Sequence, residues 1–134
     1  MSQTNEAHHV SVSISRSPDE VYRFARVIER WPEWAHGIGT SVRPDGDVWI
    51  AKGPLGEVKV RFADDNAYRV LDHDVTLPDG RRFHNAFRVI PNGSGSEVVF
   101  SVFRQPGATD QAFREDWGAV EKDLHTLKQL IERS

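Results

Sequence analysis

The 134-residue sequence contains no cysteine. That excludes disulfides, thiolate-bound zinc, iron–sulfur clusters and a cysteine nucleophile. No apolar run approaches the ~18 residues that a membrane-spanning helix needs. The first ten residues are polar and lack the apolar core of a signal peptide. An excess of one charge is also missing: 17 Lys and Arg against 20 Asp and Glu leave a formal net charge of −3. Domains that bind nucleic acid are usually basic, so no nucleic-acid partner is expected. The 6 histidines show no metal-ligand spacing, and neither a metal nor another cofactor is expected. The glycine-bearing stretches at 53–56 and 92–95 open no helix, so they read as hairpin turns rather than phosphate loops. Thr40, Ser41 and Ser101 stand in no Gly-x-Ser-x-Gly elbow, which argues against a nucleophilic serine.

These absences lead us to expect a soluble, cytoplasmic chain with no membrane insertion. Hydrophobic residues make up 38% of it, and a chain of this size buries roughly two thirds of its unfolded surface. It therefore needs no staple to fold. Residues 1–8 are expected to be a disordered polar segment, and 9–134 a single domain.

Val10, Val12 and Ile14 alternate with serines, the pattern of a half-buried strand. Ser17-Pro18-Asp19-Glu20 then reads as a helix start with a capping serine and proline in the first turn. Val21, Phe24, Ala25 and Ile28 continue at helical spacing, and Pro32 predicts a stop near Arg30. Trp31-Pro32-Glu33-Trp34 predicts a second short helix. From residue 40 the period becomes two, with strands expected near 40–44, 47–52, 56–64, 67–76, 82–90 and 96–104. Phe113, Trp117, Val120, Leu124, Leu127 and Ile131 then form one apolar stripe on a long helix capped by Thr109 or Asp110. The fold class is α+β: a seven-stranded curved antiparallel sheet gripping a long C-terminal helix, with two short helices after the first strand. Such a helix rarely fills all the space beneath a curved sheet, and the remainder is a cavity.

Three stretches resemble the START/Bet v 1-like (SRPBCC) superfamily, in its polyketide cyclase/dehydrase group. They are 12–22, the Trp31-Pro32-Glu33-Trp34 motif, and 92–100 with the continuation to Trp117 and 123–128. The resemblance spans about 9–133. It implies the helix-grip fold. Relatives include lipid carriers, hormone receptors, aromatase/cyclases, oxygenase domains and co-chaperones, so it implies no single activity and carries over no catalytic residue.

His73 is the most informative polar residue. In Leu71-Asp72-His73-Asp74-Val75 the aspartates belong outside, which turns His73 inward. A three-residue turn at Pro78-Asp79-Gly80 pairs residues whose numbers sum to 158, setting Val75 opposite Phe83, His73 opposite Asn85 and Leu71 opposite Phe87. His73 and Asn85 are thus candidates to orient a ligand, or for His73 to act as a general base near neutral pH. Alternatively they satisfy each other. The expected cavity wall is Trp34, Val60, Phe62, His73, Asn85, Phe87, Phe100 and Trp117. Trp49 lies on the opposite strand face from Val48 and Ile50 and is expected to be partly exposed or at an interface. His84 should also point outward. The leading function is binding of a small hydrophobic or aromatic ligand. A polyketide cyclase/dehydrase-like enzyme and a co-chaperone-like interaction domain are the alternatives, and a homodimer is left open.

Overall fold

The computed structural model describes residues 2–37, 39–53 and 56–133. The alternating stretch near the start forms β1 (Ala7–Ile14). The strand therefore takes in Ala7 and His8, earlier than the boundary expected at residue 9. The Glu6 carbonyl accepts the Arg104 N–H at 2.8 Å and extends this attachment by one residue.

The first helix, α1 (Pro18–Ala25), begins as its residues dictate. Pro18 lies in the first turn, Ser17 Oγ accepts the Glu20 N–H at 3.3 Å, and Asp19 and Glu20 sit at the positive end of the helix dipole. The helix stops at Ala25, short of the expected Arg30. The Trp31 indole N–H donates to the Ala25 carbonyl at 2.7 Å, taking an acceptor that a continuing helix would use. The chain proceeds as a short 3-10 helix (Ile28–Glu33) that contains Pro32.

Six strands follow: β2 (Ser41–Asp45), β3 (Val48–Gly53), β4 (Gly56–Phe62), β5 (His73–Thr76), β6 (Arg82–Asn92) and β7 (Gly95–Phe103). All seven strands join one antiparallel sheet in the order β1-β7-β6-β5-β4-β3-β2. The two short helices thus carry the chain from one edge of the sheet to the other. Pro44 lies within β2, on the free edge opposite β1. The turn expected at 53–56 includes Pro54 and Leu55, which lie outside the described residues. Gly80 has φ +90°, the left-handed conformation that the turn after β5 requires. His73 faces Asn85 and Val75 faces Phe83, the register predicted from that turn.

One expectation is corrected: the strand predicted over 67–76 is present only as β5. Asn66 is responsible: its Oδ1 accepts the N–H groups of Tyr68 (3.0 Å) and Val70 (3.1 Å), and its Nδ2 donates to the carbonyls of Asp64 (2.9 Å) and Val70 (3.0 Å). A side chain that satisfies nearby backbone in this way competes with a sheet ladder. Trp49, on the face opposite Val48 and Ile50, pairs with Val60 and is half-buried against the core.

The C-terminal helix, α2 (Asp110–Arg133), is 24 residues long. Thr109 Oγ1 caps it by accepting the Ala112 N–H at 3.0 Å. Phe113, Leu124, Leu127 and Ile131 are its buried residues. The helix lies over β1 and β7, at one side of the sheet. The other side carries a second apolar cluster of Ala51, Val58, Val60, Val75 and Leu77. No helix among the described residues is long and apolar enough to cross a membrane.

Leu124 and Leu127 are almost fully enclosed at the centre of the α2 stripe. Truncating either to alanine should cost ~2–5 kcal/mol in urea unfolding. Lys122→Ala, on the exposed face, should change stability by less than ~0.5 kcal/mol. A leucine loss below ~1 kcal/mol would mean that this face is not the core face.

Candidate functional site

Because α2 sits over one side of the sheet, a cavity of about 400 Å³ opens beside it. Trp31, Trp34 and Ala35 close one end. The sheet contributes His73, Val75, Phe83, Asn85, Phe100 and Val102. The helix presents Asp116, Ala119, Val120, Asp123 and Leu124. Arg81 and Gln105 also line it, and Arg81 is exposed at the rim.

The structure brings together Trp34, His73, Asn85 and Phe100 of the expected wall. It does not bring Val60, Phe62, Phe87 or Trp117 to this cavity. Val60 is buried in the second apolar cluster. Phe62 packs on the edge of Trp31 with centroids 4.9 Å apart and lines a separate cleft with Trp49 and Leu71. Phe87 is fully enclosed and braces Trp34 and His73 at 6.0 and 6.3 Å. Trp117 stacks on His8 at 4.0 Å, because its position on α2 faces β1.

His73 is 2% exposed and sits among Trp31, Phe62, Phe87 and Phe100. Its Nδ1 lies 3.0 Å from the Leu71 carbonyl, an acceptor only, so Nδ1 carries the proton. Nε2 is then the acceptor, 3.3 Å from Asn85 Nδ2. This arrangement replaces part of the ladder. Leu71 N–H still donates to the Phe87 carbonyl at 2.7 Å. The Phe87 N–H, however, donates to Asp72 Oδ1 at 2.9 Å. Burial pushes the imidazole pKa down to about 4, despite the favourable Leu71 carbonyl. A base titrating near neutral pH, as the sequence suggested, is thereby replaced by a neutral ring. Both of its nitrogens have protein partners. Asp72 stays ionised on the outer side: burial works against its charge, but the Arg88 guanidinium and the Phe87 N–H outweigh it. His84 faces outward, 2.7 Å from Asp74.

Sequence reasoning missed the acidic residues of the wall. Asp116, Ala119, Val120, Asp123 and Leu124 are spaced 3, 1, 3 and 1, which is one helix face. It is rotated by roughly 50° from the apolar stripe, at 3.6 residues per turn. Asp116 and Asp123 border that stripe and so read as solvent positions. Asp123 accepts the backbone N–H groups of His36 and Gly37, each at 3.3 Å. Burial pushes its carboxyl up, and those two N–H groups only partly offset this. Asp116 is also raised, by burial and then by neighbouring Glu115. Trp34 is 3% exposed, and its indole N–H has no acceptor among the described residues.

The depressed His73 pKa has a measurable consequence. The folded ring titrates at about 4 and the free one near 6.5. Between these values the unfolded chain binds the extra proton, so stability falls as pH falls. Urea unfolding should show a loss of about 2 kcal/mol from pH 7.5 to 5 that is absent in His73→Phe. Equal pH slopes in the two proteins would mean that the ring is not buried neutral.

Comparison with known proteins places this geometry. No curated protein matches the chain in sequence. Among solved structures, an uncharacterized protein from Bacillus thuringiensis superposes with a TM-score of 0.74 at 18% identity, covering 94% of this chain and 98% of its own. A START superfamily protein from Mycobacterium smegmatis gives 0.70 at 10% identity, with coverages of 95% and 97%. The ZhuI aromatase/cyclase from Streptomyces sp. R1128 gives 0.67 at 16% identity, with coverages of 96% and 95%. At these identities the likeness shows a shared fold. The model of the family described as polyketide cyclase / dehydrase and lipid transport matches residues 7–132, and the chain belongs to that family.

Proposed function

We propose that the protein binds a small hydrophobic or aromatic ligand in the cavity between the sheet and α2. The observation that carries this reading is the cavity itself. About 400 Å³ is walled by Trp31, Trp34, Phe83 and Phe100, with Asn85 and Asp123 converging on it. That volume lies in the lower part of the range for small-molecule sites, about 300–1,000 Å³. Apolar contacts supply most of the affinity there, and the few polar groups fix orientation. Of the residues expected from the sequence, Trp34, Asn85 and Phe100 serve as ligand contacts in this reading. His73 holds the Asn85 amide in place rather than meeting the ligand with a free nitrogen. A closed core would have favoured a protein-interaction role.

An aromatase/cyclase among the structural neighbours supports an enzymatic second reading. Asp123 is the residue that favours it. A carboxyl raised by burial is better matched to proton transfer than an ordinary one. His73 is a poor base here, because its pKa is about 4 and both nitrogens are occupied.

Native mass spectrometry of the freshly purified protein should show a small molecule released on denaturation. Calorimetric titration with 2-naphthol should give saturable 1:1 binding. Ala119→Trp places bulk at the cavity rim, and should weaken that binding at least about tenfold while leaving the unfolding temperature nearly unchanged. Absence of both a co-purifying molecule and naphthol binding would defeat the reading. So would undiminished binding in Ala119→Trp.

A further inference from the structure

We infer that the cavity is selective for amines: its ligand carries an apolar or aromatic body and a cationic nitrogen held by Asp123, with Asp116 at the entrance. This rests on the reading of the cavity as a ligand site.

The charges lining the cavity are unequal. α2 contributes two carboxylates to the lining, Asp123 half-buried and Asp116 exposed at the entrance. They are seven residues apart, about 10 Å along the helix axis at 1.5 Å per residue. Ala119 lies between them, and its small side chain leaves room for a ligand. Among the described residues the one lining cation is Arg81, exposed at the rim, with Nε engaged by Asp79 at 2.8 Å. His36 is the other ionisable group close to Asp123, and it is exposed. An anionic ligand such as a fatty-acid carboxylate would therefore meet two like charges and no interior cation. An ammonium would meet the reverse.

Asp123 is half-buried, and its two backbone donors do not fully offset the loss of water. A cation beside it recovers that cost. The same end of the cavity supplies Trp31 and Trp34, with centroids 4.8 Å apart and planes 50° from parallel. Indole faces attract cations as well as aromatic rings. The chemical class is thus an amine with an aromatic or apolar body.

The test uses three probes of one shape in calorimetry: 2-(naphthalen-2-yl)ethylamine, 2-(naphthalen-2-yl)ethanol and naphthalen-2-ylacetate. The amine should bind at least about tenfold more tightly than the acetate, with the alcohol between them. Asp123→Asn should bring the amine to within about twofold of the alcohol. Asp116 makes no hydrogen bond or ion pair among the described residues, so Asp116→Asn can be made without breaking one, and it should remove part of the preference. If Asp123→Asn fails to fold, salt supplies the second measurement: added sodium chloride should weaken the amine and leave the alcohol unchanged. Alcohol binding without a preference for the amine would overturn this inference and leave the cavity reading standing. Equal or tighter binding of the acetate would do the same. Binding by none of the three would overturn both.

Discussion

An imidazole surrounded by Trp31, Phe62, Phe87 and Phe100 cannot keep a charge, and it cannot leave either nitrogen unsatisfied. Those two demands organise the middle of this protein. The Leu71 carbonyl leaves the sheet ladder to accept the His73 Nδ1–H, and the Asp72 carboxylate takes the Phe87 N–H that this frees. Asp72 is in turn anchored by Arg88 on the outer face. Asn85 donates to the remaining nitrogen and is thereby fixed in the cavity wall. One buried ring thus couples the outer charge pairs of the sheet to a polar group of the cavity wall. Backbone satisfaction is conserved through the exchange, which is why the irregularity is tolerable in a core.

The cavity follows from where the long helix rests. α2 covers β1 and β7, while the second apolar cluster lies at the opposite side of the sheet. Between these two regions the sheet faces Trp31 of the 3-10 helix and Trp34 just after it, across the cavity. Trp31 is held there by its bond to the Ala25 carbonyl, the same bond that ends α1. Termination of the first helix and placement of the aromatic end wall are therefore one event. The cavity is a product of packing geometry and not of a loop inserted to make room.

Much of this was legible in the sequence, because it depended on patterns that tertiary context rarely overrides. Read as three residues, the turn at Pro78-Asp79-Gly80 kept the inward set consistent on both strands, and that register places His73 against Asn85. The spacing of Phe113, Leu124, Leu127 and Ile131 fixed the buried face of α2. The chemistry-bearing face was harder to read. Asp116 and Asp123 look like solvent residues until the helix is known to border an opening, since a cavity accepts polar groups that a filled core rejects. Trp117 went astray for the complementary reason: as an apolar residue on the opposite flank of the same helix, it turned to β1 and His8. Residues 67–72 carried strand-like composition, yet Asn66 offered their backbone a closer set of partners. Local side-chain bonds of that kind depend on one residue and leave no periodic trace.

An open sheet ends in rows of unpaired backbone groups, and β2 forms one of those ends. Asp45 and Val48 close the β2–β3 hairpin as opposed residues. The alternation of an antiparallel ladder from that pair turns the Pro44 nitrogen towards the free side. Another strand arriving at this edge finds a tertiary amide nitrogen, which carries no hydrogen, where it needs a donor. The cyclic side chain guards against indefinite growth of the sheet from one molecule into the next. The β2 margin is therefore a poorer template for a further strand than one whose outward row of donors is unbroken.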